Sequence, residues 1–270
     1  MLNIFRPLPF VLASTNHGTM IVNRNDYFMT GEAAGYGVGY QLLNNSSFDQ
    51  EEVDLALALL EKRRINFGNG VVAIDCGANI GVHTIEWARF MYGWGEVVSF
   101  EAQEKIFYAL AGNIAINNCL NVTAKHCAVG SECSVIEIPE PNYLIPSSYG
   151  SLELKESPKN EYIGQEIDYK RTKPVPLVSI DSLTLARLDF MKIDVEGMEE
   201  DVLAGARDSI AKHKPIIIVE AIKSDSNKIE EILQKAGYNI YPLDINILAI
   251  HKNDPMAQNI RLEKDGLWLN

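Results

Sequence analysis

Seven consecutive residues, Asp75-Cys76-Gly77-Ala78-Asn79-Ile80-Gly81, directly follow the apolar run Val71-Val72-Ala73-Ile74. The run is short and β-branched, as a buried strand requires. Gly77 permits a sharp turn at its end, and Gly81 lets a following helix pack close to the strand. In an open parallel sheet, ligands bind beyond the carboxyl ends of the strands, so this turn is expected to line a ligand crevice. Backbone N–H groups at the start of the next helix could hold a carboxylate. Phosphate chemistry fits poorly. A Walker loop needs GxxxxGK[ST], and a dinucleotide fingerprint needs GxGxxG, whereas these glycines fall as GxxxG. A carboxylate at Asp75 repels a pyrophosphate and suits a cationic group, such as the ammonium of a methionine moiety.

A second apolar run, Val97-Val98-Ser99-Phe100, ends in Glu101. It lies about 20 residues beyond the glycine turn, the length of one strand–helix–strand unit. An acidic residue at that point can accept both hydroxyls of a ribose. After a third strand, Cys127-Ala128-Val129-Gly130 offers backbone and small side chains that could flank an adenine. Two more strands carry carboxylates to the same end of the sheet, in Lys192-Ile193-Asp194-Val195-Glu196 and Ile216-Ile217-Ile218-Val219-Glu220. Asp194, Glu220 and Glu196 are the candidate catalytic groups. Carboxylates gathered around one crevice can raise a pKa enough to make a base for a hydroxyl proton. Asp194 and Glu220 could equally hold a divalent cation. Structural roles compete with these: Glu196 at a helix N-terminal dipole, Asp194 as its cap, and Lys192 as partner of a neighbouring carboxylate.

Taken together, Asp-x-Gly-Ala-Asn-x-Gly at 75–81, Glu101, and Lys192-Ile193-Asp194-Val195-Glu196-Gly197-Met198-Glu199 resemble the FkbM-type family of class I methyltransferases over roughly residues 70–250. The resemblance implies a Rossmann-like, seven-stranded sheet and S-adenosylmethionine as cofactor. It also implies O-methylation of a hydroxyl on a sugar or other small natural product. The expected cofactor contacts are Asp75, Gly77, Asn79, Gly81, Glu101, Ala128 and Asp194. His83 stands where the family more often has an aromatic or aliphatic residue, and reads as a partly buried helix residue.

The elements that must position these groups are legible from residue 48 onward. A helix is expected from Phe48 to Arg64, with Asp49 as cap and Val53, Leu55, Leu57, Leu59 and Leu60 as its apolar face. Strand and helix then alternate: strands at 71–75, 96–101, 122–127, 190–194 and 215–221, helices at 82–92, 104–118, 199–209 and 226–236. This alternation predicts an α/β fold with a mainly parallel sheet and helices on both faces. The closing strands, 238–241 and 246–251, leave no room for a crossover and should form a C-terminal antiparallel hairpin. Residues 139–176 hold six of the eleven prolines and read as a lid, a binding loop or a disordered insertion. Short strands are expected on either side, at 135–138 and 175–179. Tyr143, Tyr149, Tyr162, Ser147 and Ser148 could contact a sugar-like acceptor from that loop. The expected organisation is an N-terminal extension and helix (1–66) packed on a methyltransferase domain (67–254), then a tail (255–270). Within the extension, Thr19 to Asn23 reads as a short strand, and Gly35-Tyr36-Gly37-Val38-Gly39 as loop, following no clear strand and opening no helix.

Bulk properties narrow the classes. The 270 residues are 47% hydrophobic, enough for one sizeable core. The formal net charge of -12 disfavours phosphate backbones and anionic lipid. The one basic triplet, Lys62-Arg63-Arg64, sits at a helix end, where it complements the dipole. No run reaches the ~18 apolar residues of a membrane span. The N-terminal MLNIFRPLPFVLAS is interrupted by Arg6, Pro7 and Pro9 and is not read as a signal peptide. Cys76, Cys119, Cys127 and Cys133 have no zinc-ligand spacing and read as buried small hydrophobes in a reducing compartment. The expected partner is a small-molecule or carbohydrate acceptor in the cytoplasm, without nucleic acid or membrane and with self-association left open. Two other classes stay open at this point: a non-catalytic cofactor-binding protein on the same scaffold, and an NAD(P)-dependent reductase, against which the missing GxGxxG and the terminal hairpin count.

Overall fold

The computed structural model describes residues 7–31, 34–258, 260–263 and 266–269. Arg6, in the N-terminal stretch considered above, lies outside these residues. The chain opens with a hairpin, β1 (Phe10–Thr15) and β2 (Gly18–Asn23), then a two-residue pair, β3 (Phe28–Met29) and β4 (Gly35–Tyr36). Helices α1 (Val38–Asn45) and α2 (Gln50–Phe67) follow. Next come β5 (Val71–Cys76), α3 (Val82–Phe90), β6 (Gly95–Glu101), α4 (Glu104–Ile116) and β7 (Val122–His126). Three short strands, β8 (Ala128–Val129), β9 (Ser134–Pro139) and β10 (Thr172–Val178), make a separate small sheet. The second half contains β11 (Phe190–Ile193), α5 (Glu199–Gly205), α6 (Arg207–His213), β12 (Ile216–Glu220), α7 (Ser226–Lys235), β13 (Tyr238–Leu243) and β14 (Asn246–His251). A last hairpin pairs β15 (Ile260–Glu263) with β16 (Gly266–Leu269).

The main sheet has seven strands in the order β13-β14-β12-β11-β5-β6-β7. β5, β6, β7, β11 and β12 run parallel, and β14 joins β12 antiparallel with β13 outside it. The expected α/β sheet and terminal hairpin are therefore present. The order doubles back at β5, with β6 and β7 on one side and β11 and β12 on the other. That reversal opens a crevice at the strands' carboxyl ends.

Side-chain alternation divides the core between the two faces. Ala73, Phe190, Ile216, Ile218 and Leu248 pack with α2 and α3. Ile74, Met191, Ile193, Ile217, Val219 and Ala249 pack with α5, α6 and α7. The opening section joins the first face, since Met20, Val22, Val38 and Leu42 share that core, as does Met256 beyond β14. Asn113 of α4 fastens the hairpin: Oδ1 accepts from Ile21 N at 2.5 Å and Nδ2 donates to Ile80 O at 2.8 Å.

Five local expectations are corrected. Gly37 stands at the N-cap of α1, so the glycine-rich stretch does open a helix. Asp49 occupies the N-cap of α2 but its side chain makes no capping bond. The single helix expected at 199–209 is two, parted at Ala206, because the Asp181 carboxylate accepts from Asp208 N and Ser209 N and starts α6 anew. Arg63 does not complement a helix end but is buried between Asp189 and Asp254. Cys133 is exposed, unlike the other three cysteines.

Candidate active site

A cavity of about 400 Å³ lies at the carboxyl ends of β5, β6, β11 and β12. Its floor is the turn after β5. Gly77 and Ala78 both donate to Phe100 O, at 3.0 and 2.8 Å, which folds the turn against β6. Gly77 has φ 84° and Gly81 φ 94°, the left-handed region that glycine enters without penalty. A Cβ on Gly77 would stand 1.7 Å from Asp194 O, so the absent side chain is what lets β5 and β11 close up here.

The carboxylates fall where the strand logic puts them. Asp75 is buried and accepts from Thr84 Oγ1 at 2.6 Å. Burial drives its pKa up, against the pull of His83 and Lys192. Glu101 is also buried; Oε1 accepts from Gln103 N at 2.7 Å and Oε2 from Asn79 N at 3.0 Å. Burial pushes its pKa up to about 7 despite those two bonds. Ala128, Val129, Leu152, Leu154 and Met198 line the cavity, and Ala128, Leu154 and Met198 pack in one apolar cluster.

The remaining acids gather at the other end. Asp194, Glu196 and Glu220 each present an oxygen within 4.8 Å of the others. Asp194 Oδ2 is 2.7 Å from Lys192 Nζ, and Glu196 Oε2 is 2.7 Å from Lys223 Nζ. Burial, then the Asp194 charge, raises both Glu196 and Glu220, the latter to about 8. The Glu220 carboxylate has no hydrogen-bond or ion-pair partner among the described residues. Two ammonium groups, those of Lys192 and Lys223, thus already compensate part of the charge of this cluster.

Neither Asp194 nor Glu196 caps the following helix. The helix has Met198 at its N-cap and no side-chain cap. Glu199 instead braces the turn before it, where Oε1 accepts from Val195 N and Gly197 N, both at 3.1 Å, and Ser224 Oγ donates to Oε2. Glu196 takes φ 54°, which turns its side chain into the crevice. Lys192 is the expected partner of a carboxylate. His83 lies in a helix as expected but is buried rather than partly buried, with Nε2 3.2 Å from Glu52 Oε1.

The long segment at 139–176 contributes differently from expectation. Tyr149 is fully buried, and its OH donates to Ile145 O at 2.5 Å. Tyr143 OH donates to Gln103 Oε1 at 3.1 Å, and Tyr162 is exposed. Ser147 accepts from Gln165 Nε2 at 2.7 Å inside the fold. Of the five residues only Ser148 lines the cavity, joined by Gly150, Ser151 and Glu161 of the same segment. The opening section supplies Tyr36, Gly37, Val38, Gln41, Phe48 and Asp49. Tyr36 OH donates to Glu161 Oε1 at 2.6 Å, and Lys223 Nζ lies 3.2 Å from Glu161 Oε2, bracing three segments around the mouth. None of these residues belongs to the strand-end spacing that marks the crevice in the sequence.

A parallel sheet with a reversed terminal hairpin, an acid-glycine turn after its first strand and an acid after its second define a Rossmann-like methyltransferase. Within that class, the sequence pattern of the methyltransferase FkbM domain matches residues 75–240, and the chain belongs to that family. It is 26% identical over 199 residues to methyltransferase sdnD of Sordaria araneosa, covering 65% of this chain and 76% of that one. It is 24% identical over 179 residues to methyltransferase 1 of Beauveria bassiana (strain ARSEF 2860), covering 62% and 72%. Among solved structures, methyltransferase FkbM from Methylobacillus flagellatus KT superposes with TM-score 0.47 at 19% identity, over 68% of this chain and 43% of that longer one. No helix among the described residues is long and apolar enough to cross a membrane.

Proposed function

We propose that the protein transfers a methyl group from S-adenosylmethionine to a hydroxyl of a small polar acceptor, a sugar or other natural product. The observation that carries this reading is one cavity joining the Asp75–Glu101 half to the Asp194–Glu196–Glu220 half. The first half suits the cofactor. Asp75 has one side-chain donor, Thr84, and so keeps lone pairs for an ammonium. Glu101 is held by two backbone N–H groups with capacity left for two ribose hydroxyls, and Ala128, Leu152, Leu154 and Met198 supply apolar lining suited to an adenine. When bound, the cofactor supplies an electrophilic methyl carbon.

The second half suits the acceptor. Asp194, anchored by Lys192, can accept a hydrogen bond from the acceptor and fix its approach. Glu220 removes the hydroxyl proton, since a base with a pKa of about 8 and no competing donor is matched to neutral pH. The net charge of -12 favours a small acceptor over nucleic acid.

Calorimetry with S-adenosylhomocysteine tests the first half. The parent should bind, NAD(P) should not, and Asp75→Ala and Glu101→Ala should each weaken binding about tenfold or more. Parent-like affinity in both variants would overturn the assignment of the crevice. Labelled methyl transfer to a panel of hydroxylated acceptors tests the second half. Asp194→Asn should cost turnover more than cofactor affinity, and binding without transfer to any acceptor would favour a non-catalytic protein on this scaffold.

A further inference from the structure

Helix α2 precedes the segment matched by the family pattern, yet it places one carboxylate beneath the crevice. Glu52 is ionised in spite of its burial: burial opposes the charge, but Lys192 and His83 hold its pKa down at about 2. Its Oε1 lies 3.2 Å from His83 Nε2 and 3.7 Å from Lys192 Nζ, and its Oε2 accepts from Asn246 Nδ2 at 2.7 Å. Lys192 is only 6% exposed, and two further carboxylates compete for it. Asp194 bonds it at 2.7 Å from above. Asp75 stands beside it in register on β5, and in-register neighbours project from the same face. One buried ammonium is therefore paired with Glu52 and Asp194 while it also feels the charge of Asp75 on the neighbouring strand. Asp49, near Glu52, adds negative charge to the same side of the network.

That sharing bears on ligand binding. Asp75 can hold a ligand ammonium only as far as its charge is not already spent on Lys192. Glu52 and Asp194 together draw Lys192 away from Asp75 and leave Thr84 as its one side-chain donor. We propose that Glu52 is a positioning residue: by engaging Lys192 and His83 it keeps the Asp75 carboxylate free for the ammonium of the cofactor. The proposal rests on the reading of this crevice as an S-adenosylmethionine site. It brings α2 into the binding machinery, although no motif marks it.

The test compares two probes that differ in the ammonium. S-adenosylhomocysteine carries the amino-acid end, and 5′-methylthioadenosine lacks it. Calorimetry should show that Glu52→Gln loses about tenfold or more in affinity for S-adenosylhomocysteine, while 5′-methylthioadenosine binds within about twofold of the parent. Adding Lys192→Met to Glu52→Gln removes the competing ammonium and should restore most of the lost affinity. Equal weakening of both probes, or no rescue by Lys192→Met, would show that Glu52 supports the fold only and would overturn the proposal. Unchanged affinity for both probes in Glu52→Gln would overturn it as well. A parent protein that binds neither probe would instead sink the cofactor reading on which the proposal stands.

Discussion

Glu101 carries two opposed demands. Burial holds its proton to about pH 7, while a ribose can be grasped only by the ionised form. Ionisation proceeds as pH rises through that value, so affinity for S-adenosylhomocysteine should climb between roughly pH 6 and 8 and then level. Glu101→Gln should bind weakly and lose this slope. A flat parental profile in calorimetry at matched ionic strength would remove Glu101 from ribose binding. This residue was legible in the sequence because a strand–helix–strand unit has a fixed length, which put an acid at the end of β6 before any contact was known. Asp75, Asp194 and Glu220 were legible for the same reason. Glu52, Tyr36 and Glu161 were not, because they reach the crevice only through tertiary packing of segments that carry no spacing rule.

At the scale of elements, the turn between β5 and α3 is the most exacting piece. Gly77→Ala forces a left-handed φ on alanine, about 1–2 kcal/mol, and drives its Cβ into Asp194 O. Gly81→Ala meets the same φ penalty, but its nearest neighbour is Leu110 Cδ1, the end of a side chain that can move. Gly77→Ala should therefore lower the melting temperature more than Gly81→Ala and abolish S-adenosylhomocysteine binding; the reverse order would contradict the observed turn. The staple at Asp26 makes a second case. Its carboxylate accepts from Gly39 N and Tyr149 N, both at 3.0 Å, and so ties α1 to the segment at 139–176. Asp26→Ala leaves two buried N–H groups unpaired, each about 1–3 kcal/mol, and should make that segment the first site of proteolysis. Neither α1 nor this tie could be read from sequence. β4 has two residues, too few to show alternation, and the α1 cap is a glycine without a bonding side chain. In the main sheet β5, β6, β11 and β12 are mostly apolar runs parted by helices, and their pattern sufficed.

For the whole molecule, buried acids set the pH dependence of stability. Glu101 and Glu220 hold protons more tightly in the folded chain, up to about 7 and about 8, than in the unfolded one, where the ordinary value is 4.5. Their stabilising contribution is complete below that ordinary value and is lost as pH rises through the folded values. The lowered values of His213 and His251 act in the opposite sense, but only up to about pH 6.5. Scanning calorimetry of the ligand-free protein should show its melting temperature falling from pH 6.5 to 8.5, with a shallower fall in Glu220→Gln. A rising trend would contradict the burial of these acids. The guanidinium of Arg63 has a consequence of another kind. One of its carboxylate partners, Asp254, lies 191 residues further along the chain. At about 5–20 residues per second, a ribosome needs roughly 10–40 s to deliver that partner. For that interval the nascent α2 cannot settle its charge in the interior, and Val53, Leu59 and Leu60 stay open to other chains, so synthesis in an extract stripped of chaperones should leave more aggregate than one supplemented with them.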